Sequence, residues 1–114
     1  MALQVFLHHV YEYLKGVRQL ILHTTLTEHL CEMEARLRKE EIAYVAYPLG
    51  CSRVNLFFGN PLCVEVVRRI AKPNLTEWTE EEDFILGILL GYDKLQQCRR
   101  FLDFRERSRE RLVG

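Results

Sequence analysis

VRQLILHTTLTEHLCEMEARLRKEEIAYVAYPLGCSRVNLFFGNPLCVEVVRRIA, residues Val17–Ala71, changes its hydrophobic period three times, and those changes decide the fold. Gln19-Leu20-Ile21-Leu22-His23-Thr24 is rich in strand formers, and its near-continuous apolar run reads as a strand buried on both faces. Thr25 followed by Glu28 has the form of a capping box, which predicts a helix start there. Leu26, Leu30, Met33 and Leu37 then form an apolar stripe, with Glu32, Arg36, Lys39 and Glu40 on the solvated side. Ile42 to Tyr47 and Val54 to Phe58 read as strands joined across Pro48–Ser52 in a hairpin. Asn60 as N-cap and Pro61 at the first helical position open a helix expected to bury Cys63, Val66, Val67 and Ile70, and Lys72-Pro73-Asn74 should stop it.

Working outward, Leu3, Phe6, Leu7, Val10 and Leu14 repeat at helical spacing before Gly16, a natural left-handed cap. On the other side, Thr79 and Glu82 form a second capping box, followed by Phe84, Ile88, Gly91, Leu95, Cys98 and Leu102 in alternating steps of four and three. This predicts one long helix, with Gly87 and Gly91 admitting a neighbour closely. The alternating charges from Arg105 to Arg111 predict a frayed tail over 105–114. The whole, residues 1–114, reads as a single α+β domain: a ferredoxin-like βαββα core with an N-terminal helix and a long C-terminal helix. Its strands should lie in the order first, third, second, leaving the first with an open edge. The N-terminal helix or a second subunit must cover that edge, so a homo-oligomer is expected.

Composition excludes several classes of function. The chain is 48% hydrophobic and 28% charged, as ordinary globular proteins are. Sixteen basic and sixteen acidic residues cancel, so no field gathers nucleic acid or anionic membrane. Cys31, Cys51, Cys63 and Cys98 show no CxxC pair and read as reduced thiols, and the first residues lack a signal-peptide pattern, so a cytoplasmic protein is expected. No phosphate loop, dinucleotide fingerprint or Ser-His-Asp order is present, and no cofactor follows from the sequence.

Three groups of residues are candidates for chemistry or binding. His8, His9, His23 and His29, with Cys31, crowd the first third, but adjacent helical residues point about 100° apart, so no local pair chelates a metal and no metal site is assigned. His23 at a strand end, Cys51 in the hairpin loop and Asn60 at a helix start could together hold an anion or a reactive thiolate. Tyr11, Tyr13, Tyr44, Tyr47 and Trp78, with Arg99 and Arg100, are of the types that dominate binding hot spots. The expected function is a protein- or ligand-binding or regulatory module without catalysis. The alternative is a small enzyme or metal-binding protein using the histidine-rich half and the Cys51 loop.

Phe6-Leu7-His8-His9-Val10-Tyr11-Glu12-Tyr13 with Lys15-Gly16, then Leu22-His23-Thr24, Phe57-Phe58-Gly59 and the run Glu82–Asp93 resemble a family of small bacterial proteins catalogued as a domain of unknown function. The resemblance spans nearly the whole chain. It implies a bacterial, cytosolic protein and a flavodoxin as a possible partner, and it carries over no catalytic residues.

Overall fold

The computed structural model describes residues 2–71 and 77–113. In chain order it contains α1 (Ala2–Leu14), β1 (Leu20–Leu26), a 3-10 turn (Thr27–His29), α2 (Leu30–Lys39), β2 (Ala43–Leu49), β3 (Arg53–Gly59), α3 (Pro61–Ile70), α4 (Glu80–Leu89) and α5 (Lys94–Val113). The class is α+β, with one antiparallel sheet in the order β1–β3–β2. Leu20 stands opposite Gly59 and Leu26 opposite Arg53 across β1–β3, while Ala43 meets Gly59 and Leu49 meets Arg53 across β2–β3.

This register divides the side chains by face. Successive strand residues point to opposite sides, so Ile21, Phe58 and Tyr44 form one row and His23, Leu56 and Ala46 the next. These rows pack under Phe6 and Val10 of α1 and Met33 and Leu37 of α2. On the reverse face, Leu20, Leu22, Phe57, Val45 and Tyr47 meet Val64 and Val67 of α3, Leu86 and Leu89 of α4 and Leu90 at its C-cap. The ferredoxin-like arrangement carries its helices on one face, whereas here α2 and α3 lie on opposite faces of a three-layer sandwich. Leu20, Ile21 and Leu22 are continuous in sequence because both sides of β1 are roofed. Asn60 and Gly59 hold the entry to α3 against the start of β1: the Asn60 amide donates to the Gln19 carbonyl at 2.8 Å. Gly59 has φ +148°, and a Cβ there would lie 2.3 Å from the same oxygen.

Local signals had mixed outcomes. Thr79 and Glu82 form the reciprocal capping box, and Asn60 accepts from the Leu62 amide with Pro61 at the first helical position. Thr25 and Glu28 do not cap a helix: Thr25 is paired with Val54 inside β1, and α2 starts only at Leu30. Tertiary pairing extends the strand through the expected cap. In α3 the buried residues are Val64 and Val67, while Val66 is 37% exposed, so the face is rotated from the expected one. The expected stop at Lys72-Pro73-Asn74 falls outside the described residues.

The long C-terminal helix is two. Gly91 adopts φ +79°, the Tyr92 amide bonds to the Gly87 carbonyl and the Gly91 amide to that of Ile88, which is the Schellman ending of α4. The chain then turns back, and α5 packs along α4 through Phe84 on Phe101 and an Arg100–Asp83 ion pair at 2.7 Å. Gly87 admits the Gln97 side chain, which a Cβ would meet at 2.1 Å. Helical structure in α5 includes the charged run from Arg105 that reads as a frayed tail in sequence. The Cα radius of gyration, 15.8 Å, exceeds the roughly 13 Å of a compact chain of this length.

Candidate functional site

A cleft of about 370 Å³ opens on the α3–α4 face, lined by Leu22, Thr24, Tyr47, Leu49, Arg53, Asn55, Phe57, Ala71, Trp78 and Leu86. Its floor follows from the register. Thr24, Asn55 and Tyr47 are mutual neighbours across the three strands, as are Leu22, Phe57 and Val45 and, at the far end, Leu26, Arg53 and Leu49. α3 begins at the opposite end of the sheet, immediately after Gly59, and bonds to β2 where Arg68 donates to the Tyr44 carbonyl at 3.2 Å. α4 takes the β1 side, placing Leu86 over Leu22. The two helices leave the Tyr47–Asn55–Thr24 end of this face open between them.

The chemistry of the lining is mostly apolar and aromatic, with a few convergent polar groups. Tyr47 stands edge-on to Phe57, with ring centroids 6.1 Å apart. Burial pushes the Tyr47 phenol up from its ordinary value, with the nearby Arg68 cation opposing, so at neutral pH it is an uncharged donor. The Thr24 hydroxyl donates to Asn55 Oδ1 at 2.6 Å, which orients the Asn55 side chain. Trp78 Nε1 is buried and has no partner among the described residues. Among the described residues of the lining, Arg53 is the single charged side chain.

The residues singled out in the sequence fall in separate places. His23 is 7% exposed, on the α1–α2 face, with its ring 5.5 Å from that of His9 and 5.8 Å from that of Phe6. Desolvation holds both histidines below their ordinary pKa; His9 lowers that of His23 further, while at His9 Arg18 and His8 add to the effect and Glu12 opposes it. Cys51 lies in the exposed β2–β3 turn. Asn60 sits at the other end of β3, so the grouping of His23, Cys51 and Asn60 does not assemble. Asn60 is occupied as an N-cap. Among the described residues, no group of three or more His, Cys, Asp or Glu side chains could hold a metal ion.

The aromatic and arginine set is likewise dispersed. Tyr13 packs against the α1–α2 core, and Tyr44 on the same face donates its hydroxyl to Glu34 at 2.9 Å. Arg100 is tied to Asp83, which raises its pKa further, and Arg99 is exposed on α5. Tyr47 and Trp78 reach the cleft; their partners Thr24, Leu49, Arg53 and Asn55 were missed. Pairing Tyr47 with its cross-strand neighbours in the hairpin would have found Asn55, but the turn length that fixes that register is ambiguous in sequence.

Sheet, helices and cleft together define a small three-layer α+β domain with one open end to its core. The chain belongs to a family of proteins of unknown function, DUF2023, which matches residues 4–104. No curated protein matches the chain. Among the described residues, no helix is long and apolar enough to cross a membrane.

Proposed function

We propose that this protein is a non-catalytic binding module whose cleft takes a small molecule with a planar apolar body and an anionic group. The carrying observation is the composition of the cleft: Tyr47, Phe57 and Trp78 around an apolar floor, with Arg53 as the one charge among its described residues. Such concave, mostly apolar sites with few placed polar groups are the usual form of small-molecule sites. A planar body would slide between the Tyr47 and Trp78 walls, and its anion would meet Arg53 and the Asn55 amide. The reading requires no nucleophile.

Trp78 is the sole tryptophan, which makes the test direct. Anilinonaphthalene sulfonate, a planar aromatic anion, should accept energy from Trp78 in a saturable one-site titration. Arg53→Glu should weaken that titration at least tenfold. Absent sensitised emission, or equal affinity in the variant, would refute the reading.

A further inference from the structure

Among the described residues, β1 is an outer strand and pairs on one side only. Bonds at its two ends establish which way each backbone group points. The Asn60 amide donates to Gln19 and the Thr27 amide to Ser52, and both pairs continue the β1–β3 register. Hydrogen-bonded pairs recur at every second residue of an antiparallel ladder. Ile21, His23 and Thr25 therefore aim their backbone groups at β3, whereas Leu22, Thr24 and Leu26 aim theirs at the outer edge; Leu20, which also points outward, is fully buried, so the free edge runs from Leu22 to Leu26. Natural edges are usually blunted by Lys, Pro or a bulge, and Leu20–Leu26 has none of these.

Flanking elements determine what fits that edge. Leu86 of α4 and Leu90 at its C-cap face the sheet, while Asp83, Phe84 and Gly87 face α5, so α5 lies beside α4 on the side away from α3. Leu22 accordingly shares a trough of about 280 Å³ with Gln97 and Arg100 of α5. The helical hairpin overhangs the edge of β1. A second copy joined edge to edge would drive its own hairpin into this overhang, but a single extended strand passes beneath it. On the opposite face, His23 Nε2 and Thr25 Oγ1 are buried without partners among the described residues, and both residues are less than a tenth exposed. A strand paired to β1 would place side chains about 5 Å from them.

We propose that the outer edge of β1 binds an extended polypeptide segment by strand addition. The segment alternates hydroxyl side chains, set against His23 and Thr25, with apolar ones that enter the trough beside Leu22. It rests on the strand edge and is independent of the cleft reading.

A fluorescein-labelled peptide of seven alternating threonines and valines, with terminal lysines for solubility, tests it by fluorescence polarisation and amide exchange on the whole chain. Saturable binding should slow exchange at the Leu22 and Thr24 amides. Replacing the central valine with aspartate should weaken binding at least tenfold. Thr24→Pro should do the same, because it deletes an outward amide and leaves the β1–β3 ladder whole; if that variant does not fold, exchange in the unaltered protein decides. Absent binding, binding that leaves both amides exchanging freely, or a protein dimer that already protects them would overturn the proposal.

Discussion

On the α1–α2 face of the sheet, Ile21, Phe58, Leu56 and His23 are roofed by Phe6, Val10, Met33 and Leu37, all of them buried. On the α3–α4 face, Leu20, Phe57, Val64 and Val67 are sealed at one end, but among the described residues no helix covers the Tyr47–Asn55–Thr24 row, which lies in a cleft of about 370 Å³. Both faces are built on the same three strands with the same register. What separates them is where the helices start. α1 and α2 are each free to lie along the sheet, whereas α3 is pinned at Gly59–Asn60 and α4 is drawn to β1. Stability and recognition are thus allotted to opposite sides of one sheet, and substitutions on the two sides should have different effects.

The largest expected effect is at the pin itself. Gly59→Ala should lose about 5 kcal/mol or more in urea unfolding, since its Cβ collides with the Gln19 carbonyl in a backbone region that favours glycine. Next comes the sealed face: Phe58→Ala or Leu56→Ala should cost about 3–5 kcal/mol, because each leaves a cavity under a closed roof. On the open face, Arg53→Glu should change stability by less than about 0.5 kcal/mol while abolishing most anilinonaphthalene sulfonate binding. Equal thermodynamic costs on the two faces would break the comparison.

Acid should act through the sealed face. His9 and His23 are held below their ordinary value of 6.5. The unfolded chain therefore binds protons near pH 6.5 that the folded chain refuses, and stability falls as pH is lowered through that region. A urea midpoint that drops between pH 7 and 5, with the drop reduced in His23→Phe, is the expected result. The smallest effect concerns α2, which ends with Glu41 at φ +57°. A non-glycine left-handed residue there is strained, so Glu41→Gly should stabilise by about 0.5–1 kcal/mol.

Much of this fold was legible in the sequence because its signals are local. Asn60-Pro61 and Thr79/Glu82 act within one helical turn, and Leu20-Ile21-Leu22 announces two-sided burial by itself. Thr25 and Glu28 carried an equally good local signal that failed, because pairing of Thr25 with Val54 depends on residues far along the chain. In sequence Gly91 falls on an apolar stripe; in the structure its left-handed turn folds α5 back onto α4, where Asp83 meets Arg100. The side of the sheet taken by α3 was illegible for the same reason, since it depends on the close approach of Gly59 to Gln19. The cleft joins three strands, and only Tyr47 and Trp78 carried a hint of it.

The most direct test is a two-dimensional NMR titration of the protein with anilinonaphthalene sulfonate, following assigned amides on both faces. Shifts concentrated at Leu22, Thr24, Tyr47, Asn55 and Phe57, with Phe6, Met33 and Leu37 unmoved, are the predicted result. Shifts centred on the α1–α2 face, or none at saturating probe, would contradict the division of the sheet into a sealed side and a binding side.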